Sequence, residues 1–331
     1  MKLERIFCDN MVFQKDKPIR VYGESCGEVT VRFNGNTAKA NPKNGRFALE
    51  LPSMSYGGPY ELEVCGDGEK VTIQNVYVGE VILCSGQSNM AFAMKDEVTP
   101  SEEYISDDML RLFVSHKDEE NDFQWRTCRE AEVDSWSALC YHIGTGLRKR
   151  LGCAVGIINA SVGASMIQSW MHEDRYFGSE IELPTEKLHI DFSYPLYDWN
   201  NPGDLYHRCL ERLIPYSVRS VVWYQGESNT SDAESVIYDK MLKIMVINWR
   251  EDFRDETLPF TIVQIANYKK SSNPAAWEQL QQSQLRAAQE IPYLSCVESF
   301  DLCEDDNIHP PTKYKLARRI CEDLIGKGLF S

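Results

Sequence analysis

Long apolar runs are missing from this chain of 331 residues, and with them the roughly 20-residue segment that a membrane-spanning helix needs. No charged segment followed by an apolar stretch opens the chain, so a soluble, non-exported, cytoplasmic protein is expected, with no membrane partner. Positive charge is scarce too. Lys and Arg number 35 against 50 Asp and Glu, a formal net charge of -15, which argues against a nucleic-acid partner, since that surface needs clustered cations. There is no C-x-x-C pair, no H-E-x-x-H, no G-x-x-x-x-G-K-[ST] and no strand-linked G-x-G-x-x-G, so no metal, nucleotide or other cofactor is expected. The cysteine count of 11 is odd and fits free thiols in a reducing compartment better than a disulfide framework.

What is present divides the chain in two. Residues 1–76 carry short alternating segments, PIRVYGE, EVTVRFNG, RFALELP, YELEVCG and KVTIQNV, separated by Gly, Asn and Pro turns. That pattern predicts a small N-terminal antiparallel β domain, sandwich-like and without helix. From 77 to 331 the strand candidates become continuously apolar, EVILCS, AVGIINAS, RSVVWYQG, PFTIVQIA and YLSCVES, with helical stretches over 135–150, 234–250 and 276–290 between most of them. Alternating strand and helix predicts an α/β domain: a doubly wound parallel sheet covered on both faces.

A nucleophilic serine is best placed on a turn between a strand and a helix. G-x-S-x-G occurs once, at 23–27, but a strand candidate follows it, so Ser25 is expected in a hairpin turn. Two other serines repeat a G-x-S-N turn after an apolar strand, Ser88 in LCSGQSN and Ser228 in WYQGESN. Both turns would lie at the sheet edge where α/β proteins bind ligands, and the pattern alone does not choose between them. A serine needs a base to take its proton. His309, in DDNIHPPTKYKLARRI, follows the last strand and precedes a helix expected to open with proline. Asp306 stands three residues before it, near enough in a turn to hold one ring nitrogen and leave the other for a hydroxyl, with Glu304 and Asp305 competing for that role. His116 and His142 read as surface or core residues, and His172, His189 and His207 as part of an aromatic-rich loop.

Four blocks now stand in order: GQSNM at 86–90, NASVGAS at 159–165, WYQGESN at 223–229 and DDNIHP at 305–310. Together they resemble the SGNH hydrolases, specifically the sialate O-acetylesterase group of carbohydrate esterases. DNMVFQKDKPIRVYGE, GGPYELEV and VYVGEVILCSGQSNM resemble the amino-terminal β region of the same group, so the similarity covers most of the chain. The resemblance implies a flavodoxin-like SGNH sheet and a serine esterase that removes O-acetyl groups from a carbohydrate, sialic acid foremost, through an acyl-enzyme. It implies Ser88 as nucleophile, His309 as base and Asp306 as the orienting acid. It also implies an oxyanion hole made by the N–H groups of Ser88 and Gly163 and the amide of Asn229. Ser228 then becomes a turn residue, and Asn89 a helix cap.

Two positions depart from the group's pattern, Gln168 where an acid is common and His207 where asparagine is usual. Gln87, Gln168, Gln225 and Trp170 are the candidate substrate-binding side chains. Trp170, Tyr176, Phe177, Phe192, Tyr194, Tyr197, Trp199 and Tyr206 form an aromatic-rich stretch that would either face a sugar ring or pack the loop, and Arg148, Arg175 or Arg208 would serve an anionic sugar. Acetylated plant oligosaccharides, as for an acetyl xylan esterase, are the alternative substrate. A non-catalytic carbohydrate-binding protein on the same fold is the alternative of another class. The sequence implies no oligomeric state.

Overall fold

The structure, a computed structural model, describes residues 1–98, 104–118, 123–179 and 198–330. The first part of the chain is all strand: β1 (Lys2–Leu3), β2 (Val12–Gln14), β3 (Ile19–Glu24), β4 (Val29–Phe33), β5 (Asn36–Ala40), β6 (Arg46–Leu51), β7 (Gly57–Gly66) and β8 (Glu69–Gly86). Strands β1, β3 and β6 form a small antiparallel sheet. Strands β4, β5, β7 and the first half of β8 form a second antiparallel set, against which β2 lies parallel to β8. Ser25 sits between β3 and β4, which belong to different sheets. Its turn is therefore a sheet-to-sheet connection and not a hairpin.

Strand β8 then continues past residue 76 into the large sheet. There it is joined by β9 (Asp107–Val114), β10 (Trp125–Cys128), β11 (Val155–Ser161), β12 (Ser220–Tyr224), β13 (Phe260–Val263) and β14 (Leu294–Val297) in the spatial order β10-β9-β11-β8-β12-β13-β14. All of these pairs are parallel except β9 with β10. Counting from β8 and leaving out the added β9 and β10, the order is 2-1-3-4-5, so the connections change direction between β8 and β12. A crevice opens at such a point, outside the carboxyl ends of the strands.

Side chains on β8 alternate between two cores. Val81 and Leu83 pack with α5 (Tyr238–Asp252) and α6 (Pro274–Glu290), which follow the short helices α3 (Glu173–Phe177) and α4 (Asp232–Ser235) in the chain, through Met241, Met245, Trp249 and Leu280. Ile82 and Cys84 face α2 (Ala138–Leu151) and α7 (Tyr314–Gly326), through Leu139, Ile143, Leu316 and Ile320. Each such helix presents one apolar stripe, as Leu316, Ile320 and Leu324 do at every fourth position of α7. The antiparallel pair β9–β10 escaped the sequence reading because β9 opens DDM and carries Arg111, a side chain that breaks an apolar run. Arg111 is nevertheless fully buried. It donates to the carbonyls of Asn10 (2.8 Å), Asn75 (2.5 Å) and Asp108 (2.9 Å) and lies 4.4 Å over the Tyr77 ring. A buried cation with this many acceptors ties the large sheet to the β-strands before it.

Candidate active site

The centre of the sheet ends in a turn that only glycine fits. Gly86, the last residue of β8, has φ 137°, and a Cβ there would fall 2.0 Å from the Tyr224 carbonyl oxygen of the neighbouring strand. Gln87 N–H donates to that same oxygen at 3.0 Å, and Val162 N–H donates to the Gly86 carbonyl at 3.0 Å from the other side. The short helix α1 (Ser88–Ala91) starts at once, so its first N–H groups have no carbonyl within the helix to bind.

His309 comes to this turn from the loop between β14 and α7. Its Nε2 lies 2.7 Å from Ser88 Oγ across 221 residues of sequence. The preceding prolines stay outside α7, which opens at Tyr314; the expected proline start belongs instead to α6, capped by Asn273. Burial, and then the positive charge of Lys313, holds the His309 imidazole below its ordinary pKa of 6.5. The ring is thus neutral at neutral pH and ready to accept a proton. Gly163 faces the same serine: a Cβ there would be 3.8 Å from Ser88 Cβ. The N–H groups of Ser88 and Gly163 have no acceptor among the described residues. A hydroxyl against a neutral imidazole, with unclaimed backbone donors beside it, is a geometry for attack on a carbonyl and for holding the resulting oxyanion.

The second G-x-S-N turn is arranged otherwise. Asn229 is fully buried in a 3₁₀ turn, residues Glu227–Asn229. Its amide N–H groups go to Gln168 Oε1 (3.0 Å) and Glu234 Oε1 (3.2 Å), and its oxygen accepts from Ile167 N–H (3.1 Å) and Gln225 Nε2 (2.7 Å). The oxyanion role implied for its amide therefore meets a side chain whose donors are already held behind the site. Glu234 reaches there because Ser231 caps the turn it belongs to: Ser231 Oγ accepts from Glu234 N–H at 3.1 Å and donates to its carboxylate at 2.9 Å. Burial pushes the Glu234 carboxyl above its usual range. That S-x-x-E pattern was the available sequence signal for this residue.

The substrate-binding candidates need correction for the same reason. Gln168, Gln225 and Trp170 are fully buried; Gln225 also donates to the Ser165 carbonyl (3.0 Å) and accepts from Tyr238 (2.6 Å), and Trp170 donates to Ser165 Oγ (3.0 Å). They support the site from behind. Gln87 lies between the turns, its Oε1 accepting from the N–H groups of Gly226 and Ser228, each at 3.3 Å. Asp306 is 69% exposed and pairs with Lys270 at 3.7 Å, with no hydrogen bond to His309; an exposed carboxylate in a polar loop is drawn to the nearest cation. Arg148, Arg175 and Arg208 sit against Asp107, Glu251 and Asp198, so each expected sugar-binding cation already has a carboxylate. Of the aromatic stretch, Trp170, Tyr176 and Tyr206 are core residues and Phe177 is exposed; Phe192, Tyr194 and Tyr197 lie outside the described residues.

Asn89 is not a cap. It lies inside α1, and its side chain joins Glu227, Lys313 and the Ile308 carbonyl, which the sequence did not signal. Away from the site, His172, Glu173 and His207 form the one group among the described residues with the composition of a metal-ligand set. There His207 is held at 2.8 Å from Glu173 and 3.0 Å from Glu211, which accounts for both ring nitrogens as ion-pair donors.

The chain is similar to known carbohydrate esterases in sequence and in structure. The family model described as carbohydrate esterase, sialic acid-specific acetylesterase, matches residues 193–325. Sialate O-acetylesterases of Homo sapiens and Pongo abelii are each 26% identical over 335 residues, covering 89% of this chain and 62% of theirs. The chain thus spans less than two thirds of the length of these relatives. A carbohydrate acetylesterase from Xanthomonas citri, of solved structure, is 28% identical and superposes with a TM-score of 0.85 over 99% of this chain and 75% of that one.

Proposed function

We propose that the chain is a serine esterase that removes O-acetyl groups from a carbohydrate, sialic acid being the favoured substrate, on a doubly wound, flavodoxin-like sheet of SGNH type. The observation that carries this reading is the 2.7 Å contact between His309 Nε2 and Ser88 Oγ at the carboxyl end of the central strand. The acetylesterase names of the relatives support the acyl group and the sugar class.

In this reading His309 takes the Ser88 proton as Oγ attacks the acetyl carbonyl. The N–H groups of Ser88 and Gly163 hold the oxyanion, and His309 returns the proton to the departing sugar oxygen. The acetyl-serine is then hydrolysed by a water that gives its proton to the same imidazole. Asp306 is assigned to orient His309, for which its carboxylate must leave Lys270; an exposed pair of this kind contributes roughly 0–1 kcal/mol, so the cost is small. Asn229 supports the oxyanion site and becomes a third donor only by releasing Gln168 or Glu234. We read residues 1–76 as a β domain walling the catalytic domain of 77–331, and the cytoplasm as the compartment, supported by the 11 free cysteines.

The test is acetate release from O-acetylated sialic acid and from acetylated xylo-oligosaccharides, with wild type and Ser88→Ala compared. Turnover of one sugar by the wild type alone supports the esterase and selects between sialate and plant-type substrates. Release from neither sinks the substrate assignment. Turnover by Ser88→Ala at the wild-type rate sinks the nucleophile.

A further inference from the structure

We propose that Asn89, oriented by Lys313 and Glu227, is the positioning residue that locks the base turn onto the nucleophile turn. The inference rests on the reading of Ser88 and His309 as the reacting pair. Asn89 directly follows Ser88 and is 1% exposed. Its amide donates to the carbonyl of Ile308, the residue before His309, at 2.9 Å and to Glu227 Oε1 at 2.5 Å, while its oxygen accepts from Lys313 Nζ at 2.6 Å. One side chain thereby joins the turn after β8, the turn after β12 and the loop before α7, and acyl transfer itself makes no use of it.

The partners decide which way the amide points. An ammonium only donates and a carboxylate, when ionised, only accepts. With Lys313 on one side and Glu227 on the other, a flipped Asn89 would set N–H against ammonium and oxygen against carboxylate. The observed orientation is the one that leaves an N–H for Ile308. Lys313 is fully buried and lies 4.9 Å over the Phe92 ring and 5.7 Å over the Tyr224 ring, neighbours that favour a cation. Its backbone is fixed as well, since the N–H groups of Lys313 and Tyr314 both donate to Glu97 Oε1, at 2.9 and 3.0 Å.

Five titratable groups face the ammonium: Glu227 from the turn after β12, Glu97 from the segment after α1, Glu304 and Cys303 from the loop after β14, and His309 from the loop before α7. Burial lowers the Lys313 amine to about 8, against the pull of these acids. Above that pH the charge-assisted bond to Asn89 weakens to a neutral one.

The experiment follows labelling of Ser88 by a fluorophosphonate, and hydrolysis of p-nitrophenyl acetate, against pH in wild type, Asn89→Asp and Lys313→Met. Asn89→Asp is expected to lower kcat and the labelling rate about 10- to 100-fold with KM unchanged, because the base turn loses its register. Lys313→Met is expected to lower kcat and to move the acidic limb of kcat/KM to higher pH, since His309 loses a repelling neighbour. Folded variants with wild-type kcat and an unmoved acidic limb would overturn the role and leave only a structural one. Should the variants not fold, the wild type decides: with ¹³C-labelled lysine, the amine that titrates near 8 should do so together with a fall in Ser88 labelling, and a level rate through that titration overturns the proposal. Absence of any label on wild-type Ser88 removes the proposed function itself, an outcome distinct from labelled Ser88 with unaffected variants.

Discussion

The turns at 86–89 and 226–229 share the pattern G-x-S-N, follow adjacent parallel strands and begin with glycines at φ 137° and 153°. They do opposite jobs. The first opens a helix whose leading N–H has no acceptor among the described residues, and its serine meets His309. The second closes on itself. Gln87 takes the N–H groups of Gly226 and Ser228, and Asn229 N–H donates to the Gly226 carbonyl at 2.8 Å. The asparagines differ in the same sense: Asn89 binds forward to the loop that carries His309, and Asn229 binds backward into a buried set of Gln168, Gln225 and Glu234. A short motif fixes a backbone shape, and what the rest of the chain brings to that shape decides its chemistry.

Removing each hydroxyl in turn separates the two turns most widely. Ser88→Ala should cut kcat about 10⁴-fold or more, whereas Ser228→Ala should stay within about 3-fold; equal losses would mean that the two turns share the chemistry. The glycines come next. In Gly86→Ala the new Cβ meets backbone, the Tyr224 oxygen at 2.0 Å; in Gly226→Ala it meets side-chain ends, Leu280 Cδ2 at 2.7 Å and Ile265 Cγ2 at 2.9 Å. Side chains yield where backbone does not, so urea unfolding should show a loss on the order of 4 kcal/mol for the first and about 2 kcal/mol for the second. A reversed order would deny the constraint at the end of β8.

Asn229→Ala strands the Ile167 N–H and the partners Gln168, Gln225 and Glu234, and should destabilise by about 3 kcal/mol in the same assay. A stable but slow variant would instead return Asn229 to the oxyanion hole. The smallest effect concerns pH. Since only the neutral imidazole accepts the Ser88 proton, and burial and Lys313 both disfavour the charged ring, kcat/KM should be lost on acidification through a midpoint below 6.5, the ordinary value. Because kcat/KM reports the free enzyme, in which Asp306 sits on Lys270, a midpoint above 6.5 would show that its carboxylate has moved to His309 before substrate binds.

Much of this was legible because it is local or periodic. The apolar runs of β8, β11, β12 and β13 announce strands buried on both faces, and the G-x-S-N turns announce their ends. Strand β9 was hidden by Arg111, whose burial depends on acceptors from Asn10 and Asn75. Gln168, Gln225 and Trp170 looked like binding residues because polar and aromatic side chains near a motif do not reveal whether they face the crevice or lie beneath it. Asp306 stands three residues before His309, yet proximity in sequence left its side chain with Lys270.

Local pattern along the chain announces the α/β alternation, the two G-x-S-N turns and the candidates Ser88, Ser228 and His309, with the family resemblance favouring Ser88. The fold alone brings Ser88 and not Ser228 to His309, holds Asn229 from behind, and sets the buried Lys313 on the side-chain oxygen of Asn89. The physical reason is range: periodicity and turn chemistry act over a few residues, whereas a hydrogen bond such as His309 to Ser88 spans 221 positions and exists only once the sheet has set the order of its strands.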